Sequence, residues 1–93
     1  MDYRNVKHNA EESRFELLAE GLMSEINYTK NGNVLTITHT KVPSKLEGQG
    51  IAASMTKYML EYARKNGLQI SPLCSYTKTY LIRHPEYKDL WEK

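Results

Sequence analysis

The stretch best suited to chemistry runs Val42-Pro43-Ser44-Lys45-Leu46-Glu47-Gly48-Gln49-Gly50-Ile51-Ala52-Ala53. Two glycines straddle Gln49 immediately before a segment with helical periodicity. Glycine lets a backbone approach a ligand closely, and the first amides of a helix have no partner inside it. With the positive end of the helix dipole added, such a turn holds an anion, phosphate above all. Small Ala52 and Ala53 keep the first turn clear of bulk. The alternative is a tight turn whose glycines only permit the geometry. The pattern is neither a Walker loop nor a complete dinucleotide fingerprint.

Two other side chains carry reactive groups. His39 lies near the end of a β-branched run, and histidine is the residue type that exchanges protons at neutral pH. Cys74 follows a short apolar run, and a cysteine thiolate is a nucleophile. Each has a plain alternative, a structural histidine in a strand and a small apolar filler at a strand end.

Several elements must position these residues. Phe15, Leu17 and Ala19 alternate with Arg14, Glu16 and Glu20, which predicts a strand with one buried face. Gly21 marks a turn, and residues 22–30, with Met23, Ile26 and Tyr28, form a second run of imperfect alternation. Asn31-Gly32-Asn33 supplies a hairpin turn. Val34 to Val42 is a third strand, rich in β-branched residues and stopped by Pro43. From Ile51 to Asn66 the apolar residues recur at helical spacing, and Gly67 stands where a helix C-cap belongs. Residues 68–73 form a fourth strand. Ser75 is expected to cap a short helix over 76–83, and Pro85-Glu86 to open a last turn anchored by Tyr87, Leu90 and Trp91. Residues 1–13 show no periodicity and read as an N-terminal arm, with His8 exposed upon it.

The expected class is therefore α+β, an antiparallel meander followed by a βαβ unit, in a mixed sheet of about four strands. Strand, crossover helix and strand make the last two strands parallel. Their carboxyl ends are where an open sheet of this kind binds ligands, and His39 and Cys74 both fall there.

With 93 residues, 40% hydrophobic and 26% charged, the chain fits a single globular domain over 1–93. No apolar run suggests a membrane span or a signal peptide, and one cysteine excludes an intrachain disulfide, so the expected compartment is the cytoplasm. The net charge is +2. Residues 1–30 hold six acids and four bases, whereas 31–93 hold nine bases and five acids, so the second part is the one to meet an anion. Those bases are scattered, with only Arg64 and Lys65 adjacent, which argues against a nucleic-acid partner.

The segment from His39 to Leu90 resembles the small single-domain branch of the GNAT superfamily of acetyl-CoA-dependent N-acetyltransferases. The superfamily's pyrophosphate loop, [QR]-x-x-G-x-[GA], is met in its last two fixed positions by Glu47-Gly48-Gln49-Gly50-Ile51-Ala52. The branch's strand end is met by His39-Thr40-Lys41-Val42-Pro43 and its Pro-x-Cys by Pro72-Leu73-Cys74. A third signature is met by Tyr80-Leu81-Ile82-Arg83-His84-Pro85-Glu86-Tyr87. Glu47 departs from the usual Arg or Gln, and a carboxylate beside a pyrophosphate weakens binding.

The resemblance implies a minimal GNAT-like fold in which two parallel strands splay apart to admit acetyl-CoA. It implies His39 and Cys74 as the catalytic pair, with their roles open: His39 as general base for direct attack by an amine, or Cys74 as a covalent carrier activated by His39. Coenzyme A would be held by Thr40, Val42, Gly48, Gln49, Gly50, Ile51, Ala52 and Ala53. Lys78 and Arg83 would reach its 3′-phosphate or pyrophosphate, although solvated helix charges account for them better. The aromatic residues at helical spacings read as packing, with Tyr76 or Tyr80 able to border the cofactor channel. The implied partners are acetyl-CoA and an amine acceptor of unknown identity, with no metal, in a monomer or weak homodimer. The alternative function is a coenzyme A-binding regulatory module with little or no transfer.

Overall fold

The computed structural model describes residues 5–92. Its sheet has five strands in the order β1-β2-β3-β4-β5. β1 (Val6–Asn9), β2 (Arg14–Ala19), β3 (Leu22–Asn31) and β4 (Val34–Lys41) form an antiparallel meander, and β5 (Gln69–Pro72) lies parallel to β4. Helix α1 (Ile51–Lys65) connects β4 to β5, and α2 (Ser75–Arg83) and a 3₁₀ turn (Pro85–Leu90) follow.

The fifth strand corrects the expected count of about four and, over Val6–Asn9, the arm expected over 1–13, of which 1–4 lie outside the described residues. Val6 pairs with Leu17 and His8 with Phe15. The alternation of β1 goes unseen when histidine is counted as polar. Here the His8 ring stacks on Phe15 with centroids 4.3 Å apart, meets the Tyr62 ring at 4.5 Å, and lies with Nε2 2.6 Å from the Tyr28 hydroxyl. His8 is thus half-buried rather than an exposed arm residue.

Phe15, Leu17, Ile26, Leu35 and Ile37 line one face of the sheet, and Ile51, Met55, Met59, Leu60 and Ala63 form the apolar stripe of α1 that covers it. Burying each such side chain contributes about 1.5–3 kcal/mol, which makes this contact the main stabilising term. The opposite face carries Arg14, Glu16, Glu25, Asn27, His39 and Lys41 in cross-strand register. Arg14 pairs with Glu16 and approaches Glu25. An exposed pair, Leu18 (61%) and Met23 (41%), continues this face.

The outer edge of β5 is partly covered by the chain's end. Trp91 forms a parallel bridge with Ile70, and the Glu92 amide donates to the Ile70 carbonyl at 2.8 Å. Among the described residues no helix is long and apolar enough to cross a membrane.

Candidate active site

β4 and β5 pair only over Val34–Ile37 and Gln69–Pro72. The last backbone hydrogen bonds across the pair are from the amides of Leu73 and Cys74, which both donate to the Ile37 carbonyl at 3.0 and 2.9 Å. Beyond that point β4 runs on to Lys41 while the other chain turns away into α2, leaving Leu73 72% exposed. The two strands therefore diverge at their carboxyl ends, as expected from sequence.

A β-bulge decides what faces this gap. Asn27 pairs with His39 and Tyr28 with Ile37, so Thr38 is an extra residue in β4. One inserted residue reverses the alternation. Counting by twos from Leu35 and Ile37 puts His39 on the core face; the bulge instead puts it on the exposed face, beside Asn27. Thr40, opposite buried Ile26, faces the helices.

There Thr40 meets Cys74. The thiol donates to Thr40 Oγ1 at 3.4 Å. Cys74, not Ser75, is the residue that precedes the first turn of α2, which corrects the expected cap by one position. Burial pushes the Cys74 thiol up, but the Thr40 hydroxyl and the amides of Thr77 and Tyr76 outweigh it, so the thiol lies below its ordinary pKa. These amides face the sulfur without closing a full cap hydrogen bond. The buried Thr77 hydroxyl also favours the thiolate and makes no full hydrogen bond elsewhere. Helix-start amides lower cysteine pKa values generally, and it is the thiolate that attacks. His39 and Cys74 thus share one end of the strands but lie on opposite faces, with no contact between them.

The glycine loop closes the same end. A short 3₁₀ turn (Ser44–Leu46) buries Leu46 completely and anchors the approach. Gly48 and Gly50 then adopt φ of +87° and +77°, a region that residues with a Cβ enter only at a cost. Gly50 is the N-cap of α1, with no side chain to cap it and no acid in the first turn. The first helical bond is from the Ser54 amide to the Gly50 carbonyl, 3.0 Å. The amides of Ile51, Ala52 and Ala53 precede it and are left to a ligand or solvent.

A groove of about 220 Å³ lies against this helix start, lined by Val42, Leu46, Glu47, Gly48, Gly50, Ile51, Ala52, Ala53 and Tyr76. Gln49 does not line it; its side-chain amide donates to Glu20 Oε2 at 3.4 Å. Arg83 lines a neighbouring cavity. Lys78 lines neither, because it falls on the exposed side of α2 with Ile82. Tyr76 lines both. A larger depression, about 760 Å³, lies beside the opposite end of β5, ringed by Gln69, Lys88, Asp89, Trp91 and Glu92. It holds neither the thiol nor the glycine loop. Among the described residues no cluster of His, Cys, Asp and Glu is arranged to hold a metal.

The family model for GCN5-related N-acetyl-transferases matches residues 14–90. The chain belongs to the GCN5-related N-acetyltransferase family. A similar solved structure is the NMR solution structure of a GCN5-like candidate N-acetyltransferase from Staphylococcus aureus. It is 30% identical with a TM-score of 0.76, over 99% of this chain and 91% of that one. As a GCN5-related N-acetyltransferase, the protein has a mixed sheet, parallel β4–β5 pair and crossover helix that are the α+β architecture expected from sequence.

Proposed function

We propose that this acetyltransferase takes an acetyl group from acetyl-CoA and delivers it to a primary amine, with Cys74 as the covalent carrier. The observation that carries this reading is the Cys74 thiol at the strand gap, poised toward the thiolate by Thr40 and the start of α2. The uncapped amides of Ile51 to Ala53 are the groups to grip the coenzyme's diphosphate, which leads the thioester toward the gap.

In the first half-reaction the Cys74 thiolate attacks the acetyl carbonyl. The bond from carbonyl carbon to the coenzyme's sulfur breaks, and coenzyme A leaves as a thiolate that takes a proton from solvent. In the second, a neutral amine attacks the Cys74 thioester, the thiolate re-forms, and the proton lost by the nitrogen passes to His39. A lysine-type amine is protonated at neutral pH, its pKa being near ~10.4, so a base at the point of entry is needed. His39 lies on the exposed face of the gap, which suits an acceptor arriving from that side. A reducing cytoplasm, where thiols persist, is the compartment for such a carrier.

The test is mass spectrometry after incubation with acetyl-CoA, together with thermal denaturation in coenzyme A. Cys74 should gain the mass of one acetyl group. Cys74→Ala should lose turnover while coenzyme A still raises its melting temperature. Full turnover in both Cys74→Ala and Cys74→Ser would discard the covalent step and leave direct attack. A second reading, a coenzyme A-binding regulatory module, is favoured by the Glu47 carboxylate lining the groove. Coenzyme binding with no acetyl transfer to any of a panel of primary amines would select it.

A further inference from the structure

The start of α2 buries a hydroxyl that has nothing to bond. Cys74 precedes the helix, the first helical bond runs from the Lys78 amide to the Cys74 carbonyl at 3.0 Å, and Thr77 is third in the first turn. Thr77 is fully buried, yet its Oγ1 makes no full hydrogen bond. A helical threonine ordinarily spends its hydroxyl on a carbonyl three or four residues back, and a buried orphan costs stability. Among the described residues Ser24 and Thr56 also bury hydroxyls without a partner, but of the three Thr77 alone sits on the turn that Cys74 begins.

Resting on Cys74 as the acetyl carrier, we propose that Thr77 is a catalytic donor whose partner is the Cys74 sulfur in its charged state alone. Its hydroxyl bonds the thiolate that attacks acetyl-CoA and bonds it again as the acceptor amine expels it.

Two hydroxyls make the cradle. In the thiol, the S–H donates to Thr40 Oγ1 at 3.4 Å, and the sulfur is a weak acceptor, which leaves Thr77 unpaired. When the thiol gives its proton to solvent, the Thr40 hydroxyl turns to donate and Thr77 gains an acceptor. No more than rotation of the two hydroxyls is needed. Thr40, Thr77 and the amides of Tyr76 and Thr77 all act in this sense, favouring the charge against burial. Of the other titratable side chains at this end, Glu47 and Tyr76 line the groove, and His39 faces the opposite side of the sheet.

The acetyl thioester is the least satisfied state. Its sulfur carries neither proton nor charge, so Thr40 has lost its donor and Thr77 is unpaired once more. A contact that strengthens as charge returns to the sulfur accelerates the step that returns it. Departure gains most, since a thiol of lower pKa leaves faster. Attack gains less, because a hydrogen-bonded thiolate is more abundant but less nucleophilic.

The experiment compares Thr77→Val, which keeps the shape without the hydroxyl, with Thr77→Ser, which keeps the hydroxyl. Each variant is alkylated with iodoacetamide from about pH 6 to pH 10, bracketing the ordinary thiol value. Each is also acetylated with acetyl-CoA, freed of coenzyme and mixed with ethanolamine, while mass spectrometry follows the acetyl group on Cys74. In Thr77→Val the alkylation midpoint should rise, and the rate at neutral pH should fall about three- to tenfold, as expected for one lost hydrogen bond to a charged group. Release of acetyl to the amine should slow about tenfold or more, so that acetyl-Cys74 accumulates. Thr77→Ser should match wild type in both, and Thr77→Val should melt no lower, because it removes an orphan. If Thr77→Val fails to fold, Thr77→Ala takes its place. An unchanged midpoint or an unchanged release rate in Thr77→Val, or equal losses in Val and Ser, overturns the role of Thr77 and leaves the acetyl carrier standing. A Cys74 that takes up no acetyl group in any form overturns both this inference and the proposed carrier.

Discussion

Gly50→Ala separates the backbone's part in the loop from every side-chain effect. Gly50 holds φ at +77° at the N-cap of α1, and a Cβ added there would meet nothing within 4 Å. No clash contributes, so the penalty is the intrinsic cost of the left-handed region for an L-residue, about 1–2 kcal/mol. In a domain of this size each kcal/mol lowers the melting temperature by about 4–8 °C, so Gly50→Ala should melt roughly 5–15 °C lower. Asparagine visits this region more readily, so Gly50→Asn should lose less than half as much. Both variants are read by thermal denaturation with and without coenzyme A. Relaxing the Ala variant toward negative φ re-aims the amides of Ile51 to Ala53. The coenzyme's stabilisation, about 2.7 kcal/mol at a hundredfold excess over Kd, should therefore shrink as well. Equal melting of Gly50→Ala and wild type, or equal losses in Ala and Asn, would refute the reasoning. The positive φ would then not be what the glycine supplies.

Other perturbations test the remaining parts. Glu47→Arg replaces the carboxylate lining the groove by a cation; coenzyme A affinity measured by calorimetry should rise by up to about tenfold at low ionic strength and less in salt. Unchanged or poorer affinity counts against seating the diphosphate there. Thr40→Val removes the hydroxyl that meets the thiol at 3.4 Å, so alkylation of Cys74 by iodoacetamide at neutral pH should slow by about two- to fivefold. An unaltered rate sinks Thr40 as a thiolate partner. Burial holds His8 below its ordinary pKa. As pH falls the unfolded chain takes that proton first, so the stability His8 contributes is full above the ordinary histidine range and is lost as pH drops through the folded-state value. Urea denaturation between about pH 8 and pH 5 should show this slope, and His8→Phe should flatten it.

Sequence patterning exposed the meander, the crossover helix and the glycine loop because each has a local cause. The hairpin turn is written in Asn31-Gly32-Asn33, the helix in an apolar stripe from Ile51 to Ala63, and the loop in Gly48 and Gly50. β1 was hidden because its inward residues are Val6 and His8, and only contact with Phe15 and Tyr62 shows that the imidazole acts there as an aromatic ring. The facing of His39 was hidden for a different reason. The bulge at Thr38 is a property of the pairing between β3 and β4, and no spacing within β4 announces it. Thr40 was legible as a ligand-side residue of the strand end, but its hydrogen bond to Cys74 depends on that same bulge. The stacked Tyr80 and His84 read only as packing, since helical spacing alone does not distinguish a ring against the core from one bordering a cavity.

The uncovered side of the sheet has a bearing on what this enzyme can modify. Where larger pockets select an acceptor by enclosing it, His39 stands on the exposed face, open to water. An amine carried on a macromolecule would be met as easily as one on a metabolite, because bulk behind the nitrogen has nothing to collide with. Discrimination would then fall to the tiles surrounding the imidazole, Glu25, Asn27 and Lys41. Recharging those few positions, not reshaping a cavity, is how acceptor preference should be redirected.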